Sequence, residues 1–354
     1  LSPWTRESPG RATPSLFLRW LSEAERKKSK KKRCNSFLAG LITQHVSDAS
    51  RTETTPPGGG SQKNISSGFE SVSSKEEPSG KVQFKDANNA WGEAKDSART
   101  KAAVDAHYGA QMTYDFYKDV LGRDSIDGQG EKLVSYVHVG SDLVNAFWDG
   151  QKMSYGDGNA TDSGPLTTLD IAGHEITHGL TERTAGLLYR GESGGLNEAF
   201  SDILGTGVEW YASQKNPGVE FDWKMGEDAW TPANGSGDAL RYMDDPTKDG
   251  YSVDHYSNYP KQTEVHGSSG IANNAFYLLA NGGTNRTSGQ KVDGGIGMEK
   301  GLKIYSRALT TYMTPNTNFA QARQATVKAA TDLYGASSVE VQKVKDAWSA
   351  VGVR

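Results

Sequence analysis

The chain has 354 residues and a formal net charge of -4, with 35% hydrophobic residues, 23% charged residues and 41 glycines. This length suits two lobes, each burying its own core, and no run approaches the roughly 18 to 20 apolar residues of a membrane helix, which excludes a spanning segment. Residues 1–80 hold 13 Lys+Arg against 8 Asp+Glu and the rest holds 26 against 35, so the body is acidic, unsuited to nucleic acid, as surfaces are where cations bind or where a protein must stay soluble.

In chain order, residues 1–80 combine a Pro/Arg-rich start, a basic run over residues 26–33 and the stretch TTPPGGGSQKNISSG. They read as an atypical, disordered extension. The basic run followed by residues 37–46 faintly resembles a signal peptide, but the apolar part is short and interrupted, so a solvated extension is the preferred reading. The chain opens on Leu1 in place of Met, as a fragment or an imperfect gene boundary would. Cys34 is the single cysteine, which excludes an internal disulfide and makes bound calcium the expected staple for a protein outside the cell.

Order is expected from about residue 81. Val104, Tyr108, Met112, Phe116 and Val120 recur every four positions and predict an amphipathic helix over 100–121. β-Branched and aromatic residues over 132–140 and 145–158, broken by Asp-Gly turns, predict strands and a hairpin. Beyond Pro165 the pattern is helical, over 166–183, 195–213, 267–280, 297–312, 318–334 and 338–351. Mixed structure first and mainly helix afterwards predicts an α+β protein.

The first of these later helices contains His174, Glu175, Ile176, Thr177 and His178, an HExxH motif. Four residues advance a helix by about 400°, so both imidazoles leave one face and can share one ion, while Glu175 on a neighbouring face can touch a water there without ligating the metal. The bland alternative is a charged helix face. Glu198 on the next helix supplies a third ligand, and Asp202, four residues on, shares its face and suits a carboxylate that accepts the other N–H of a ligand histidine. Two histidines, one carboxylate and an open fourth position make a catalytic zinc arrangement, whereas a structural site would close with cysteines.

The segment GHEITHGLTERTAGLLYRGESGGLNEAFSDILG resembles the active-site region of the thermolysin family, and the resemblance extends over residues 84–354. No third histidine follows the HExxH within 179–184, unlike metzincins. The resemblance implies a two-lobed zincin with a mixed α/β N-terminal lobe over 81–180 carrying the zinc helix, and a mainly helical C-terminal lobe over 181–354. It also implies a secreted, monomeric zinc endopeptidase acting on protein or peptide substrates. Family members carry a β-rich segment ahead of this region; none is recognised here, so the N-terminal lobe is expected to lack those strands.

By the same resemblance, Tyr189 and His266 donate to the oxyanion, Glu264 orients the His266 ring as an acidic residue does there in some members, the usual upstream aspartate being replaced by Lys261, and Asn145 and Ala146 form the edge that pairs with substrate. Trp148 beside them reads equally as core. Arg241 holds a substrate carbonyl, and Leu166, Ile171, Met225 and Leu240 line the pocket after the scissile bond, favouring Leu, Ile or Phe there. Asp170, Glu209, Asp222 and Glu227 match a calcium site, at which Lys224 replaces an acidic residue, so one calcium is expected there in place of two. Two other classes stay open: a zinc exopeptidase, which would prefer free peptide termini, and an inactive binding protein on the same scaffold.

Overall fold

A computed structural model describes residues 69–73, 82–83, 98–231 and 239–354, with side chains from residue 101 onward. The basic run, Cys34 and the signal-like stretch lie outside the described residues.

The first part is one helix over a mixed sheet. Helix α1 (Ala98–Asp119) presents the expected stripe to the interior, with Phe116 and Tyr117 fully buried. Strands β1 (Phe69–Ser73), β2 (Val82–Gln83), β3 (Leu133–Val137), β4 (Ala146–Trp148) and β5 (Met153–Tyr155) form a sheet in the order β2-β1-β3-β5-β4. In β3 the burial alternates along the strand, as a sheet with one face on a helix requires. Strand β1 lies in the span assigned to a disordered extension and pairs in parallel with the whole of β3. With β2 it also corrects the expectation that the N-terminal part lacks strands ahead of the first hairpin. The sequence FESVS has too few β-formers to announce a strand; a long-range partner, β3, completes its hydrogen bonding.

Two long helices follow. Helix α2 (Leu169–Arg183) starts after Thr168, three residues later than expected, because the Leu166 amide is held by the Gly156 carbonyl. Helix α3 (Gly191–Lys215) begins four residues earlier than expected, through glycines that read as breakers. At the α2–α3 crossing, a Cβ on Gly173 would lie 2.9 Å from the Cα of Gly205, and one on Gly205 would lie 2.5 Å from the Asp170 carbonyl. The missing side chains let the two helices touch backbone to backbone, which brings His174 and Glu198 within reach of each other.

Beyond α3, the ribbon β6 (Lys224–Met225) and β7 (Arg241–Tyr242) pairs Met225 with Arg241. The single turn α4 (Val265–Ser268) leads into α5 (Gly270–Asn281), where one helix over 267–280 is expected. A second ribbon, β8 (Gly283–Thr284) with β9 (Lys291–Val292), precedes α6 (Met298–Thr311), α7 (Phe319–Tyr334) and α8 (Val339–Ala350). Phe200, Phe276, Tyr305 and Trp348 are fully buried between these helices. The protein is α+β, with its sheet in the first half and its helices mostly in the second. None of the described helices is long and apolar enough to cross a membrane.

Candidate metal centre and cleft

His174 and His178 leave the same face of α2, and their Nε2 atoms stand 3.0 Å apart. Glu198 comes from α3: its Oε2 is 3.5 Å from His174 Nε2 and its Oε1 is 3.5 Å from His178 Nε2. The other nitrogen of each ring is committed. His174 Nδ1 donates to Asp202 Oδ1 at 2.8 Å and His178 Nδ1 to Asn197 Oδ1 at 2.7 Å. The Asn197 amide is set in this sense because its Nδ2 donates to the Leu187 carbonyl. Both imidazoles therefore carry their proton on Nδ1 and turn Nε2 lone pairs toward one another and toward Glu198 Oε2, a buried oxygen with no hydrogen-bond partner among the described residues. Three convergent electron-pair donors repel one another unless a cation lies between them. Two nitrogens about 2.05 Å from a tetrahedral zinc stand about 3.3 Å apart, so the observed separation suits that ion.

The electrostatics agree at His178 and Glu198 and run the other way at His174. Burial brings the His178 imidazole down to about 4, which favours the neutral ligand form. Burial would likewise lower His174, but its bond to Asp202 and the nearby carboxylates raise it instead. Glu198 is buried, yet His266, His178 and His174 bring its carboxyl down to about 2. Asp202 lies fully buried and well below the usual carboxylate range despite that burial, mainly because of the Arg241 guanidinium. Arg241 Nε and Nη2 grip its two oxygens at 2.7 and 2.6 Å, and Asn273 Nδ2 donates to it at 2.8 Å.

One cleft is lined by these ligands together with Glu175, Tyr189, His266, Asn145, Ala146, Arg241, Leu166, Ile171, Met225 and Leu240. Burial pushes the Glu175 carboxyl up to about 7, and the Trp148 backbone N–H donates to it. His266 Nδ1 stands 2.8 Å from Glu264 Oε1, while Glu264 Oε2 accepts from the backbone N–H of His266 and Gly267. Burial opposes a charge on His266, but Glu198 and Glu264 outweigh it and raise the imidazole. The Tyr189 hydroxyl donates to Glu198 Oε1 and lies 3.2 Å from His266 Nε2. Strand β4 is the outer strand of the sheet, and Asn145 Oδ1 just before it is buried and without a partner among the described residues, as is Arg241 Nη1. The ribbon places the apolar wall: Leu240 N–H donates to the Met225 carbonyl.

On the far side of that ribbon, Glu209, Asp222 and Glu227 bring carboxylate oxygens within 4.8 Å of one another. Glu209 and Glu227 are driven well above the usual range by burial and then by neighbouring acids, and each keeps a buried Oε2 without a partner among the described residues. That donor set fits a hard cation. Asp170, expected with them, lies outside this set of three. Its oxygens accept from the Thr168 hydroxyl and the Ile171 and Gly226 amides. Lys224 Nζ lies 2.7 Å from Asp222 Oδ2.

Three contributors went unread in the sequence. Asn197 directly precedes the ligand Glu198, and Asn273 lies in a distant helix; both pass as ordinary helical polar residues. Trp148 was open to a core reading, and its side chain does pack, with Nε1 donating to Glu182 at 2.7 Å. Its role at Glu175 belongs to the backbone, for which no residue type gives a signal.

Residues 43–182 match the family model described as the thermolysin metallopeptidase catalytic domain, and residues 185–353 match the thermolysin metallopeptidase alpha-helical domain. The chain is 51% identical over 257 residues to the thermostable neutral protease NprT of Geobacillus stearothermophilus, covering 71% of this chain and 45% of that protein. It is also 51% identical over 273 residues to a bacillolysin of Bacillus cereus, covering 76% and 46%. It thus spans about half the length of these curated relatives. Among solved structures, the precursor of protealysin from Serratia proteamaculans matches with a TM-score of 0.64 at 27% identity, over 91% of this chain and 100% of that one.

Proposed function

Since the chain belongs to the thermolysin metallopeptidase family, we propose that it is an endopeptidase that cuts internal peptide bonds with one zinc ion held by His174, His178 and Glu198. The observation that carries this reading is the set of three mutually repelling donors beneath a cleft that also holds a buried carboxyl and a buried imidazole. When bound, zinc supplies a Lewis acid that lowers the pKa of water and polarises a carbonyl. Glu175, steadied by the Trp148 amide, takes a proton from the attacking water and returns it to the leaving nitrogen. His266, held by Glu264, donates from Nε2 to the oxygen on which negative charge grows; Tyr189 joins it by releasing Glu198. Asp202 and Asn197 are positioning residues for the ligand histidines.

Substrate binds extended along β4, with Asn145 Oδ1, Ala146 and Arg241 Nη1 meeting its backbone. Leu166, Ile171, Met225 and Leu240 receive the side chain that follows the scissile bond. Digestion of a denatured protein, with the fragments sequenced by mass spectrometry, is expected to show internal cuts preceding Leu, Ile or Phe about tenfold more often than those preceding Gly or Ala. Release of single terminal residues would point instead to an exopeptidase.

Calcium is the second proposed ion, at Glu209, Asp222 and Glu227 together with Asp170, which stands near enough to raise both glutamates and accepts the Gly226 amide. The Lys224 ammonium on Asp222 takes the place of a second ion. At fixed zinc, chelating calcium is expected to shorten the half-life of thermal inactivation by on the order of tenfold, since an ion bound only to the folded state stabilises it. A calcium count of one per cluster is expected; two ions would contradict the reading of Lys224. The lobe boundary near residue 180 fits the division between the two family matches. A monomer working outside the cell completes the proposal.

A further inference from the structure

We propose that His138 and Asp157 form a positioning pair for substrate binding, holding the segment from which both the peptide-binding strand edge and the wall of the apolar pocket hang; the inference rests on the reading of that cleft as a peptide site. His138 directly follows β3, is 8% exposed and adopts φ 60°, a left-handed conformation uncommon outside glycine but tolerated by histidine. Its Nδ1 donates to both carboxylate oxygens of Asp157, at 2.7 and 2.8 Å. One residue further on, the Val139 amide donates to the Tyr155 carbonyl, so the pair closes the end of the β3–β5 ladder.

The backbone around Asp157 is a hub. The Gly156 amide donates to the Asn145 carbonyl at 2.9 Å, and the Gly158 amide to the Leu143 carbonyl at 3.0 Å. The Gly156 carbonyl accepts from the Leu166 amide at 3.0 Å. A Cβ on Gly156 would lie 2.1 Å from the Leu143 carbonyl, so this contact depends on glycine. Asn145 leads into the strand edge and Leu166 lines the pocket, yet neither His138 nor Asp157 lines the cleft. They act through the backbone. The pair ties the hub to β3, whose other edge is backed by β1.

The Asp157 side chain is 45% exposed, so its ion pair adds little to global stability. Its removal is expected to leave the fold and metal ligands in place while loosening Asn145 and Leu166 together, a change felt in substrate binding ahead of chemistry. The test compares Asp157→Ala with Asp157→Asn in the zinc-loaded full chain, on a hexapeptide that spans the cleft. Asp157→Ala is expected to raise KM about tenfold with kcat within about twofold, whereas Asp157→Asn, whose amide oxygen still accepts from His138, stays within about threefold of the parent KM. Independently of activity, hydrogen exchange at the Gly156 and Gly158 amides is expected to quicken about tenfold in the alanine variant, with α3 unchanged. Should that variant not fold, His138→Asn, which tolerates the left-handed backbone, is expected to give the same rise in KM and the same faster exchange. Unchanged KM, equal effects of Ala and Asn, or parental exchange at both glycines would overturn the pair's role. A parent chain that cleaves no peptide while exchange still quickens would instead remove the peptidase reading.

Discussion

Glu175→Gln is expected to lower kcat by roughly 10² to 10⁴ while the protein keeps its zinc. The carboxyl is 6% exposed and faces the cleft beside the ligand histidines without belonging to the ligand set. Burial pushes it up to about 7, and a base with a pKa near the working pH both accepts a proton and gives it back. Glutamine keeps the shape and the bond from the Trp148 amide but cannot take the proton. The check is kcat and metal content measured on the same preparation. Turnover within about tenfold of the parent, with zinc bound, would remove Glu175 from this role.

His266→Ala is expected to lower kcat by about 10² or more with metal content and KM nearly unchanged, because its donor acts most strongly when charge has moved onto the carbonyl oxygen. The structure prepares His266 for this. Glu264 takes Nδ1 and caps the single turn that carries the ring, and the neighbouring carboxylates favour the charged imidazole, leaving Nε2–H facing the cleft. A steady-state comparison at saturating peptide separates the possibilities. A change confined to KM would make His266 a substrate-binding residue only.

Much of the site was legible because its chemistry is tied to helical spacing. His174 and His178 four apart, with Glu198 and Asp202 four apart on the next helix, fix two facing surfaces before any packing is known. The later helices were read from their apolar pattern, and the structure adds local end signals: Asn318 caps α7 with a full capping box and Ser338 caps α8 through its side chain. What stayed hidden depends on partners far away in the chain. The FESVS strand is held between β2 and the distant β3, and the glycines opening α3 read as a break until tight packing makes them necessary. Asp170 accepts hydrogen bonds from the start of its own helix and from Gly226, yet it stands near enough to Glu209 and Glu227 to raise both, a proximity no local spacing announces. The His138–Asp157 pair spans 19 residues and two strand ends, a spacing with no periodic signature.

Peptide cleavage is proposed to depend on a single ion at His174, His178 and Glu198. The most direct test of this dependence is to strip the protein with a chelator, keep calcium constant, and titrate zinc while following internal cuts in a denatured protein and counting bound metal. Cleavage is expected to be absent in the stripped protein, to rise in proportion to bound zinc and to level off at about one equivalent per chain. Cleavage that persists in the zinc-free protein, or zinc that binds stoichiometrically without restoring any internal cut, would rule out this dependence.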